Sequence, residues 1–259
     1  MGGEGAIMPG ATAVSRRALA LCLFLQRGQF ESMVHDPDVA EAQPVHIAMA
    51  RRITMRLQTQ GLWDDTPATE QRLLARTPGT WTKIEAQDSG WRGEYLAVLL
   101  WALSAAELPP WDTRADTEEQ IRTLQPPEGS GEPMPVYGLR SLEEIEAMYE
   151  AAQAWHARAN TRLISELEME VSPHVHLDQV VAEAAETAYR MGYAGKSIDG
   201  DFPALNRAYR DLSSEQFRSI HLIADHRLRA IDWLLGFDGS AETQSAAKTT
   251  TPSSLSART

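Results

Sequence analysis

The chain has 259 residues, 43% hydrophobic and 23% charged, with 24 Lys+Arg against 36 Asp+Glu and a formal charge of −12. These are the proportions of a globular domain with a substantial core. The acid excess excludes wrapping of nucleic acid and polybasic docking on a membrane, both of which need clustered basic charge. A lone cysteine, Cys22, excludes an internal disulfide, so the expected location is the cytoplasm. The basic set is 21 Arg to 3 Lys. That bias either reflects the nucleotide composition of the source genome or serves pairing with carboxylates, which the planar guanidinium fork suits.

Ser15-Arg16-Arg17 before the apolar run Ala18–Leu25 has the look of a twin-arginine export signal. The run is short, polar Gln26-Arg27-Gly28-Gln29 follows, and no small-x-small cleavage site is present. Leu19, Cys22, Leu23, Gln26 and Phe30 instead keep helical spacing, predicting a core helix over 15–33. No run approaches the ~20 apolar residues that span a bilayer. Residues 45–60 predict a second helix, with Ile47, Ile53 and Leu57 inward, Arg51, Arg52 and Arg56 outward, and Gly61 as terminator. Thr66-Pro67 predicts an N-cap and a proline at the first helical position, opening a short helix to Arg76. From Ile84 to Glu107 one helix is predicted in the middle of the core. Leu96, Leu99, Leu100 and Leu103 fall on one face, Tyr95, Val98 and Trp101 on the other, and Pro109-Pro110 stops it.

The Pro- and Gly-rich stretch 125–140 predicts a loop that divides the molecule internally. Ser141-Leu142-Glu143-Glu144 is a capping box, and Ile145, Met148, Ala152, Trp155, Ala159 and Leu163 carry a helix of ~28 residues behind it. A further helix is predicted over 177–192. The last starts at the Ser213-x-x-Gln216 cap and runs to Gly236. No stretch alternates like a strand and no repeat is present. Residues 239–259 are Ser/Thr/Ala-rich with almost no large apolar side chain and are expected to be disordered. The expectation is an all-α fold: one multi-helix globular domain over 15–237, of about seven helices.

Signatures for phosphate-binding loops, dinucleotide folds, nucleophile elbows, zinc proteases and cysteine-bound zinc are absent. No cofactor is expected. His174-Val175-His176 with Asp178 offers metal donors, but on a loop and a helix start, where Asp178 has an ordinary role in the first turn. No metal is expected there. Asp199-Gly200-Asp201 offers two carboxylates, yet the calcium-loop pattern fails at Pro203 and Arg210; the alternative is a turn satisfied by its own side chains with help from Arg207 or Arg210. Glu94, at the head of the most apolar helix, needs an arginine partner if drawn inside, either as a structural pair or as part of a pocket wall.

Two functions fit. In the first the protein is a non-enzymatic binding or interaction protein, its partner another protein, with Trp91, Arg92, Trp155 and Arg158 as anchors, since Trp and Arg dominate interface hot spots. In the alternative it is a hydrolase or lyase whose pocket gathers Glu94, His156, Asp199, Asp201 and His226, which requires a His and a carboxylate within hydrogen-bond reach.

Several blocks, in order and spacing, resemble a bacterial family known as domain of unknown function 4272. They are Arg17-Ala18-Leu19-Ala20-Leu21, Trp91-Arg92-Gly93-Glu94 through Leu100-Trp101-Ala102-Leu103, and Glu107-Leu108-Pro109-Pro110. The others are Trp155-His156-Ala157-Arg158, Ile198 to Pro203 with Tyr209 to Ser213, and His226-Arg227 through Trp233-Leu234-Leu235-Gly236. The resemblance spans about residues 16–236. It implies a soluble, helical bacterial protein, places Arg16-Arg17 in the domain rather than in an export signal, and assigns no catalytic or binding residue. Leu235, where the family is associated with Cys or another small residue, and Ile231-Asp232, where Leu-Asn is usual, depart from it.

Overall fold

The computed structural model describes residues 8–124, 137–167 and 176–237. Within them lie nine α-helices: α1 (Ala11–Val34), α2 (Gln43–Thr59), α3 (Ala68–Leu74), α4 (Lys83–Ser89), α5 (Arg92–Ala102), α6 (Thr117–Leu124), α7 (Leu142–Glu166), α8 (Leu177–Arg190) and α9 (Ser214–Leu234). A two-stranded antiparallel hairpin pairs β1 (Pro203–Ala204) with β2 (Arg207–Ala208). The fold is all-α, as the helical periodicities predict. The 239–259 tail and most of the 125–140 loop lie outside the described residues.

Two helices with stretches buried on every side set the architecture. In α1 every residue from Ala20 to Gly28 is buried, and in α5 every residue from Gly93 to Ala102. Such stretches are surrounded by other helices, and the charged residues α1 buries are paired there. α1 is flanked by α2, α4, α5 and α6, and α5 also packs on α9, which lies along α7. The core has two clusters. The larger joins α1, α5, α6, the start of α7 and the end of α9; the smaller joins the second half of α7, α8, the hairpin and the first half of α9. No described helix is long and apolar enough to cross a membrane.

The helix predicted over 84–107 is two helices. The backbone tightens around Gly90, where the Gly90, Trp91, Gly93 and Glu94 amides all donate three residues back. This 3-10 corner lets α4 and α5 diverge. α5 also ends earlier than the prolines require, at Leu103, because Ser104 takes a left-handed conformation (φ 54°) and the Ala105 amide donates back to Leu100 O. Thr66 caps nothing: its buried hydroxyl donates to Leu62 O, and α3 begins after Pro67. The capping boxes at Ser141 and Ser213 form with both arms, and Gly61 and Gly236 terminate α2 and α9 at φ 64° and 75°. α6 had a local signal, since Asp116 Oδ1 accepts from the Glu118 and Glu119 amides.

Candidate functional site

The carboxylates singled out in the sequence meet arginines. Glu94 is 1% exposed, and its Oε2 accepts from Arg227 Nε of α9 at 2.9 Å while Oε1 accepts from the Ala115 amide at 2.7 Å. Arg227, itself fully buried, also donates to the Pro109, Pro110 and Thr113 carbonyls, so this pair ties the 109–115 loop to α5 and α9. Asp201 is held the same way. Arg158 of α7 makes a bidentate contact at 2.6 and 2.7 Å, and the Phe202 and Arg210 amides donate to the same carboxylate. Asp199 and Gly200 form the tight left-handed turn that aims Asp201 inward (φ 51° and 72°), with the Arg210 guanidinium on the Asp199 carbonyl. Two further buried pairs, Arg17–Glu70 and Arg27–Glu31, pin α3 and the 79–81 loop to α1.

Of the remaining candidates, His156 on α7 has its Nε2 3.9 Å from Asp225 Oδ1 of α9, and its ring lies beside that of His221. Burial lowers its pKa despite Asp225, with His221 and Arg229 adding to the lowering. Trp155 is buried, donates its indole N–H to Tyr193 O, and lines a groove of about 550 Å³ with Pro109, Pro110 and Trp111. Neither this groove nor the larger cleft described next gathers any two of Glu94, His156, Asp199, Asp201 and His226. Among the described residues no cluster of three or more His, Cys, Asp or Glu is placed to hold a metal, and His174 lies outside them.

His226 opens instead into a cleft of about 710 Å³ with Trp91 and Arg92. α1 contributes Phe24, α3 contributes Thr69, Arg72 and Leu73, the α4–α5 corner contributes Asp88, Trp91 and Arg92, and α9 contributes Leu222 and His226. Two polar atoms on different helices of this wall, Thr69 Oγ1 and His226 Nδ1, are buried without a hydrogen-bond partner. Burial first, and then the Arg92 charge, push the His226 pKa down to about 4, so its ring is neutral at pH 7. Glu70 and Glu85 in the wall are committed to Arg17 and Arg76. Arg72 and Arg92 have no carboxylate within 4.0 Å among the described residues, and Arg114 stacks over the Trp91 ring at 4.2 Å. Sequence reasoning found Trp91, Arg92 and His226 but neither α3 residue. Thr69 and Arg72 sit on a seven-residue helix whose own pattern carries no chemistry.

Comparison with curated proteins and with solved structures returns no match. A family model, Domain of unknown function (DUF4272), matches residues 3–183. The matched span holds α1 to α7 and with them Trp91, Arg92, Glu94 and Arg158, and it ends before Asp201, His226 and Arg227. It covers well over half of the chain, which therefore belongs to the DUF4272 family.

Proposed function

We propose that the protein works by binding a small molecule in the cleft between α3, the α4–α5 corner and α9, and that it does so without catalysing a reaction. The observation that carries this reading is the cleft itself, about 710 Å³, with Phe24, Leu73, Trp91 and Leu222 in its lining beside two guanidinium groups, Arg72 and Arg92, that make no ion pair among the described residues. The cleft also falls within the ~300–1,000 Å³ of small-molecule sites, which are lined mainly by apolar groups with a few polar ones. The tryptophans that made another protein the expected partner are in good part occupied in the core: Trp81, Trp101 and Trp155 are all buried.

The alternative, hydrolysis or elimination by a His–carboxylate pair, needs a carboxylate free to move a proton. Glu94 and Asp201 are each held by a guanidinium and by backbone amides instead. The same reading puts the protein in a bacterial cytoplasm. Its one thiol, Cys22, is buried with its pKa pushed up to about 12 and asks for no oxidising partner. Nucleic acid has no part in it, given the acid excess.

A fragment screen read by amide chemical shifts tests the site. The expected result is a set of binders whose shifts cluster on α3, the α4–α5 corner and the middle of α9. Binders that perturb other surfaces, or no binders at all, would refute the reading.

A further inference from the structure

The cleft does not share the molecule's acid excess: three arginines, Arg72, Arg76 and Arg92, line it with three carboxylates, Glu70, Glu85 and Asp88. In a chain of −12, the wall holds two guanidinium groups free of ion pairs, Arg72 and Arg92, against one unpaired carboxylate, Asp88. Glu70 and Glu85 are neutralised by Arg17 and Arg76. Two guanidinium groups with no ion pair, at the wall of a cavity that also offers apolar side chains, can take the head group of an anion. The rest of the lining is apolar: Phe24, Leu73 and Leu222, with the Trp91 indole stiffened by Arg114 on its ring. His226, neutral at pH 7, adds a hydrogen-bonding nitrogen but no charge.

Resting on the small-molecule reading above, we infer that the ligand is a small organic anion. Its carboxylate or phosphate head lies within reach of Arg72 and Arg92, and its apolar body lies against Phe24, Leu73 and Leu222. Inorganic phosphate alone would leave the apolar lining uncovered and is expected to bind weakly. A neutral molecule of the same shape would leave both guanidinium groups without a counter-charge.

Titration calorimetry of the full chain with four probes tests this: 1-naphthoate, 1-naphthyl phosphate, the neutral 1-naphthalenemethanol and inorganic phosphate. At least one naphthyl anion should bind at one site per chain, tenfold or more tighter than the alcohol and than inorganic phosphate. The tighter of the two anions identifies the head group. Arg72→Gln and Arg92→Gln should each remove most of that preference at unchanged melting temperature, and Arg51→Gln, on the exposed face of α2, should leave it intact. Equal affinity for alcohol and anions would overturn the anion assignment while leaving the cleft as a binding site. Anion binding indifferent to both arginines would overturn it too. Failure of all four probes would do the same, and the fragment screen then decides separately whether the cleft binds anything.

Discussion

At the scale of single residues, charge burial decides what can be replaced. Arg227 and Glu94 are 0% and 1% exposed as side chains, whereas Arg16 and Asp65, also 2.7–2.9 Å apart, are 43% and 23% exposed. Removing one member of a buried pair strands the other charge at a cost of about 3–5 kcal/mol, whereas an exposed pair contributes roughly 0–1 kcal/mol. Glu94→Ala should therefore lower unfolding stability by about 3–5 kcal/mol and Asp65→Ala by less than about 1 kcal/mol in urea titrations; equal losses would contradict the burial argument. His226 makes stability depend on pH. Arg92, Arg114 and Arg229 oppose its protonation in the folded chain and Asp225 favours it, while burial is the largest cause of the lowered value. The unfolded chain binds the proton near pH 6.5 and the folded one near 4, so the contribution is whole above about 6.5 and is lost as pH falls towards 4. Across that window the wild type should lose up to about 3 kcal/mol relative to His226→Gln. A stability difference that does not change between pH 7 and pH 4.5 would remove His226 from the account.

Helices show where the chain's pattern was readable and where it was not. The residues that cap or terminate α2, α7 and α9 act through bonds a few positions away, so Gly61, the Ser141 box, the Ser213 box and Gly236 were legible. The break at Gly90 was not, although Ser89-Gly90 and Gly93 stand there, because a glycine is compatible with a continuing helix and the packing of α4 on α1 is what uses the turn. That packing depends on Gly28 in the middle of α1. A Cβ there would lie 2.1 Å from Ser89 Oγ and 3.1 Å from Ser89 Cβ. The Ser89 hydroxyl is buried and bonded to Ala86 O, which leaves it little room to yield. On an isolated helix Gly→Ala would stabilise by about 1 kcal/mol; here it should destabilise by about 1–3 kcal/mol through overpacking. Gly28→Ala combined with Ser89→Gly should recover most of the loss, so thermal melts of both variants check the contact, and a stabilised single variant would show the helices are not in register as described. The arginine pairs follow a similar rule. Arg17 and Arg227 each sit inside an apolar stripe of their own helix, which marks them as buried, but which partner each takes is set by helices far apart in sequence, whereas Glu31 finds Arg27 one turn back on α1.

Across the whole molecule the two core clusters share their scaffolding. α7 gives Ile145 and Ala152 to the larger cluster and Trp155 and Ala159 to the smaller, while α9 gives Ala230, Ile231 and Leu234 to the larger and Phe217, Ile220 and Ala224 to the smaller. The 109–115 loop crosses between them. Arg227 holds its carbonyls, Trp111 stacks on Trp155 at 6.1 Å, and Asp112 Oδ2 accepts the Leu205 amide at 2.7 Å, which steadies a hairpin turn whose Leu205 is left-handed (φ 51°). A molecule divided at the 125–140 loop would place a boundary between the α1–α6 half and the rest, yet the larger cluster takes side chains from both sides of that loop. Unfolding either cluster alone would expose one end of α7 and of α9 and break the loop's bonds to the other, so partial unfolding gains little entropy for the contacts it loses. Far-ultraviolet circular dichroism and tryptophan fluorescence should therefore report one coincident urea transition in the wild type. Trp111→Ala, which removes the ring shared by both clusters, should pull the two curves apart. Two separate transitions in the unaltered chain would mean that the clusters fold as independent units despite the helices they share.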